Sequence, residues 1–184
     1  GYGGGIYCES SSPTITNNTI TGNNAAGEYG EGYGGGIYCW NSSSPTITNT
    51  IIAFNSSGLY LDESSTISLG FNCVYGNTDY NYSGLTDPTG SDGNISVDPR
   101  IRRDGHLQIG SPCINVGDPG YTPAPGEADI DGEQRVYGGR IDMGADEYVG
   151  CINPAADAGP DRHVITAAEA VTLDGSGSYF CDPA

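Results

Sequence analysis

Apolar residues come in short runs, each framed by glycine, asparagine, serine or threonine. Ile6-Tyr7-Cys8 alternates, and Ile37-Tyr38-Cys39 and Leu59-Tyr60-Leu61 repeat the alternation. Period two is the period of a strand, so Ile6 and Cys8 face one way and Tyr7 the other. Pro13 and Ile15 oppose Thr14 and Thr16 in the same manner. The runs belong to longer recurring phrases: Gly1-Tyr-Gly-Gly-Gly-Ile-Tyr-Cys8 returns at Gly32 to Cys39, and Ser12-Pro-Thr-Ile-Thr-Asn17 at Ser44 to Asn49. A degraded third copy starts at Gly58, and the copies align at Ile6/Ile37/Leu59, Ile15/Ile47/Ile67 and Ile20/Ile52/Val74. Asn23, Asn55 and Asn77 each follow the last of these points. Three short strands per repeat, with no helical segment between them, predict an all-β coil in which each strand stacks on its counterpart one turn away. Like side chains then form ladders, Ile within, Tyr and Thr outside and Asn at a bend.

The phrase GGGIY…SSPTITNNTI…GN, spread about three times over residues 1–77, resembles the rung of right-handed parallel β-helix repeat proteins of the pectin lyase-like superfamily. The resemblance implies a right-handed solenoid with three parallel sheets. One rung is longer, because Ala25–Tyr33 inserts a Gly/Tyr/Glu stretch ahead of Ile37; such insertions stack into a ridge beside a sheet. After the rungs and a trailing loop (residues 1–92), His106-Leu-Gln-Ile-Gly-Ser-Pro-Cys-Ile-Asn-Val-Gly117 and the Asp129–Tyr148 stretch resemble the segment that follows such rungs in many bacterial secreted β-helix proteins. That resemblance implies a capping segment over 93–148, closing the solenoid's open end. Within 149–184, Asp157-Ala-Gly-Pro-Asp161 and Val171-Thr-Leu-Asp-Gly-Ser-Gly-Ser178 resemble the start of a polycystic-kidney-disease (PKD) type immunoglobulin-like domain, truncated here. We therefore expect a piece of a longer protein, with further domains of the same parent chain as partners.

Charge narrows the partners. The formal net charge is −17, there are 23 Asp+Glu, and all 6 Lys+Arg are arginine. A nucleic acid or an anionic membrane surface needs a basic face, so neither is expected. No apolar stretch is long enough to insert into a bilayer. Six cysteines in an acidic, lysine-free chain favour a secreted, extracellular or cell-surface protein. Cys8 and Cys39 hold one inward slot in adjacent rungs and read as a buried sulfur stack. Cys151 and Cys181 are positioned to close a loop, and a bridge between Cys73 and Cys113 would staple the cap down, but spacing alone fixes no connectivity.

The superfamily's lyases and hydrolases set the catalytic test. A β-eliminating lyase needs an Arg or Lys base, usually beside Ca²⁺ on clustered Asp; residues 1–98 contain no Lys, Arg or His. A hydrolase needs paired carboxylates. Glu9 and Asp62 share a slot, but Trp40 fills the rung between, which puts them near ~10 Å, at the edge of an inverting pair. No complete active site is visible, and one alternative places catalytic rungs of a polysaccharide lyase or glycoside hydrolase upstream of Gly1. Binding has better material. Tyr7, Tyr38 and Tyr60 should make a flat outward strip, widened by Trp40 and flanked by Glu9 and Asp62, on which a polysaccharide or cell-surface glycan would stack. The Ala25–Tyr33 insertion would wall it. A third class is a structural stalk or adhesin segment. Asp129, Asp131 and Glu133 resemble half of a calcium loop, the one hint of a cofactor; we expect these acids to be structural, with Arg135 paired to one acid of the set Asp129, Asp131, Asp142 and Glu147.

Overall fold

The computed structural model describes residues 2–25 and 32–150 of the 184-residue chain. The chain divides into two units, Gly1–Tyr148 and Val149–Ala184; everything below concerns the first. The PKD-like start, Cys151, Cys181 and residues 26–31 of the expected wall lie outside the described residues.

Three strands make a rung. The first has β1 (Ile6–Glu9), β2 (Thr14–Thr16) and β3 (Thr19–Thr21); the second β4 (Ile37–Trp40), β5 (Thr46–Thr48) and β6 (Ile51–Ala53); the third β7 (Leu59–Leu61), β8 (Ser68–Gly70) and β9 (Cys73–Tyr75). Each strand pairs in parallel with its counterpart in the next rung, giving sheets β1-β4-β7-β10, β2-β5-β8 and β3-β6-β9. β10 (Tyr82–Ser83) begins a fourth turn inside the stretch read as a trailing loop, and Ile95 bridges Cys73 to continue it. Every residue of a short strand can be in register because side chains of like shape stack at one spacing. Ile6 meets Ile37 and Leu59, Cys8 meets Cys39 and Leu61, and Ile20 meets Ile52 and Val74. These inward residues form the core of the coil together with Ile15 and Ile47.

One alignment differs from the sequence reading. Ile47 pairs with Leu69, not Ile67. The second and third rungs are offset by 22 residues at the asparagine ladder too, so Ile67 falls in the slot of Pro45 and packs partly buried against the core. The local phrase Ser-Thr-Ile-Ser imitates Pro-Thr-Ile-Thr, but a constant rung length sets the register.

The corners are as repetitive as the strands. Asn55 accepts from Asn23 at its side-chain oxygen and donates to Asn77 Oδ1 (3.0 and 2.9 Å), and Asn77 passes the ladder to Asn81. A second ladder, Asn72 to Asn94, runs along another corner. Gly22, Phe54 and Gly76 share one slot with φ of 69°, 58° and 62°. That left-handed geometry suits glycine, so Phe54 holds a strained backbone there.

Of the segment 93–148 expected to close the open end, Asn94 and Ile95 stack on the third rung, and the part from residue 99 onward lies elsewhere. Leu107, Cys113 and Met143 pack on Ile51, Ala53 and Cys73, which alternate with the inward Ile52 and Val74 and so face outward from the β3-β6-β9 sheet. Residues 99–148 thus cover a side of the coil. Gly144 N donates to Asn49 O, Ala145 N to Thr19 Oγ1 and Asp118 N to Asn49 Oδ1. The reason is apolar surface: Ile51, Ala53 and Cys73 stand where the other sheets carry Thr or Tyr, and only burial removes them from water.

Candidate functional site

The first sheet turns its non-core face outward, and that face is aromatic. Tyr7, Tyr38 and Tyr60 are register partners. Their rings are nearly parallel, with centroids 5.4 Å apart for Tyr7–Tyr38 and 5.0 Å for Tyr38–Tyr60. A second stack missed by the sequence reading runs beside it: Tyr2 lies 6.1 Å from Tyr33, at 9° between planes. The repeated Gly-Tyr-Gly-Gly-Gly phrase was its signal, since Tyr2 and Tyr33 hold one slot and bridge as parallel partners. Tyr2 leans on Tyr38 (5.3 Å, 49°) and Tyr33 on Tyr60 (5.1 Å, 55°), while Trp40 extends the patch 6.2 Å from Tyr38.

This packing corrects the picture of a flat strip. Rings stacked on one another spend their faces on their neighbours, so Tyr38 is only 5% exposed. It is a hub that positions the rings around it. Tyr2, Tyr7 and Trp40 remain 65%, 47% and 42% exposed, and they are the rings this packing leaves open. Burial, and then the neighbouring Tyr60, Tyr2 and Tyr7 phenols, push the Tyr38 hydroxyl up to about 12. Burial first also raises Tyr60. These phenols remain neutral donors in any ordinary medium.

The acids at the patch are partly committed. Glu9 accepts from Tyr7 OH at 3.3 Å. Asp62 Oδ2 accepts from Ser64 Oγ at 2.6 Å and Asn41 N at 3.3 Å, and hydrogen bonds from Ser64 and Ser65 hold its carboxyl below the usual range. Trp40 sits in register with Glu9 and so separates Glu9 from Asp62.

In the second candidate group Asp129 serves as an acceptor for the backbone. Asp129 Oδ1 takes the N–H groups of Asp131 and Glu133, and its Oδ2 that of Glu147. Asp131 lies against His106 Nε2 at 2.9 Å, with Asp104 2.9 Å from Nδ1. Those two carboxylates raise the imidazole to about 9; the sequence reading had missed His106. Asp129, Asp131 and Glu133 each present an atom within 4.8 Å of the others, but Asp129 has little capacity left for an ion. Arg135 was expected to pair with an acid and does not. It is buried and donates from Nη1 to Ala145 O (2.8 Å) and from Nη2 to Gly144 O (2.9 Å), with no ion pair among the described residues. Carbonyls at a loop's inner side accept from the two Nη groups without the desolvation of a second charge, while Nε lies buried with no hydrogen-bond partner. A shallow pocket of about 320 Å³ adjoins it, lined by Asn17, Glu127, Asp129 and Ala145 among others. Glu127 there is occupied by Tyr121 OH, Asn17 Nδ2 and Ala124 N.

No helix among the described residues is long and apolar enough to cross a membrane. No curated protein and no solved structure matches the chain. The stretch that winds the coil does match a family model, the right handed beta helix region, over residues 1–96, and with its parallel sheets in register this chain belongs to that family.

Proposed function

We propose that this β-helix is a polysaccharide-recognition segment of a secreted protein, with Tyr2, Tyr7 and Trp40 as the contact surface. The observation that carries the reading is three well-exposed rings gathered around one buried ring on a single sheet. Sugars place C–H faces on such rings, and Glu9 stands beside them as a hydroxyl acceptor. At on the order of 1 kcal/mol per ring, three rings give only weak affinity for one short oligosaccharide. Retention on a polymer then depends on several copies or further rungs acting together.

Trp40 is the only tryptophan, so its fluorescence reports on the face directly. Titration with polygalacturonate, alginate and neutral polysaccharides is expected to quench or blue-shift it for at least one polymer, and Trp40→Ala is expected to abolish retention on that polymer. No spectral change with any of them, and unchanged pull-down by Trp40→Ala, would reject the reading. A second reading, a structural stalk, is favoured by the burial of Tyr38: stacked rings also tie rung to rung. It expects the Trp40 variant to bind as the native chain does and Tyr38→Ala to lower the melting temperature.

A further inference from the structure

Cys8, Cys39, Cys73 and Cys113 are buried free thiols. They form two pairs, Cys8 and Cys39 in the core of the coil, Cys73 and Cys113 in the cluster beneath the covering segment. The pairs differ in what holds them. Cys8 and Cys39 are register partners on parallel neighbours, and such a ladder keeps like atoms about 4.8 Å apart, beyond the roughly 3.5–4.5 Å between Cβ atoms of a disulfide. Cys73 has Ile51 as its ladder partner, and Cys113 reaches it from the covering segment, outside any ladder. Both sulfurs are 0% exposed, in the cluster with Ile51, Leu107 and Met143 that joins the segment to the third sheet. Cys73 Sγ also donates to Val97 O at 3.3 Å, which keeps the sulfur at the seam.

We propose that Cys73 and Cys113 are a cross-linking site: in an oxidising environment they close a disulfide that fixes residues 99–148 to the side of the coil. A small-molecule disulfide such as oxidised glutathione is the oxidant. The thiolate of one cysteine attacks it, forming a mixed disulfide and releasing one glutathione thiolate. The thiolate of the second cysteine then displaces the other glutathione. The two cysteines lose two protons and two electrons, and one glutathione disulfide becomes two glutathione thiols. Since neither sulfur is exposed, the exchange runs while the segment is undocked, during folding. Cys8 and Cys39 remain thiols.

The test is to refold the full chain from denaturant in a glutathione redox buffer, alkylate under denaturing conditions and map peptides by mass spectrometry. The expected result is a linked pair of peptides carrying Cys73 and Cys113, with Cys8 and Cys39 alkylated. Closing a loop of that length should make the oxidised protein melt on the order of 10 °C above the reduced one. The Cys73→Ala/Cys113→Ala double variant controls for packing and for any other bridge, and is expected to lack that shift. Alkylation of both Cys73 and Cys113 after oxidative refolding would overturn the proposal. So would a Cys73 or Cys113 linked to Cys151 or Cys181, or an undiminished shift in the double variant.

Discussion

Asn55 and Glu147 are equally buried, each 1% exposed, yet the molecule supports them in different ways. Asn55 sits among copies of itself, bonded to Asn23 and Asn77 and donating to Ile20 O. Glu147 accepts from Tyr137 N and Asp142 N, a pairing that occurs nowhere else in the sequence pattern. The rungs satisfy buried polar groups by translation, neutral amide on neutral amide. The covering segment does it with titratable groups, each placed once. A repeat tolerates change because the same contact is made again one turn on, whereas a singular network concentrates its stability in a few groups.

Arg135 is where this contrast breaks most readily. Arg135→Met leaves the Gly144 carbonyl without its donor, leaves that of Ala145 with Ile130 N alone, and removes the positive charge beside Asp142 and Glu147. Two hydrogen bonds from a charged group set the expected loss at about 3–5 kcal/mol. Thermal melts should show it, while the near-ultraviolet circular dichroism of the tyrosine stacks persists below the melt. Equal loss of both signals at low temperature would mean that rungs and segment are a single network.

Acidity sharpens the contrast further. Burial first, then Asp142, pushes the Glu147 carboxyl from 4.5 up to about 8, and burial pushes Asp142 from 3.8 to about 6. Both folded values exceed the unfolded ones, so the native state holds the extra protons. The stabilisation is complete below the unfolded values and is lost as pH rises through the folded ones. His106, raised from 6.5 to about 9 by Asp104 and then Asp131, has the same sign and extends the loss upward. The melting temperature should therefore fall steadily between about pH 5 and pH 9. Glu147→Gln should flatten the part below about pH 8 and His106→Gln the part above about pH 6.5. A flat profile across that range in the native protein would remove the distinction between titratable segment and neutral rungs.

The smallest effect belongs to the rungs. Phe54→Asn puts a residue tolerant of left-handed geometry into the slot that Gly22 and Gly76 fill. The strain relieved offsets the edge contact with Tyr75 at 6.0 Å, so denaturant melts should shift by less than about 0.5 kcal/mol. A loss approaching that of Arg135→Met would show that rung positions are not redundant.

Much of the coil was legible before any coordinates. Ile6/Ile37/Leu59 and Asn23/Asn55/Asn77 stack as their spacing implied, because a ladder contact recurs at a fixed separation and leaves its period in the chain. Ile67 was misplaced because a local phrase can imitate its neighbour while rung length decides the register. Tyr38 was read as exposed, since alternation gives the side of a sheet and not what lies over it; Tyr2, Tyr7 and Tyr60 cover it through ring packing. Arg135 was assigned an acid because acids are its neighbours in sequence, whereas the chain's path brought carbonyls to it.

The sequence by itself determined the sheets, the inward residues and the asparagine corner, all products of contacts between neighbouring copies about one rung apart. Only the tertiary structure decided where residues 99–148 lie, which aromatic rings remain open and which thiols meet across a seam. Their contacts join residues as far apart as Asn49 and Asp118, or Thr19 and Ala145. Such contacts occur once, between unlike partners, so no periodicity records them, and they are set by which apolar surface the folded coil leaves to be covered.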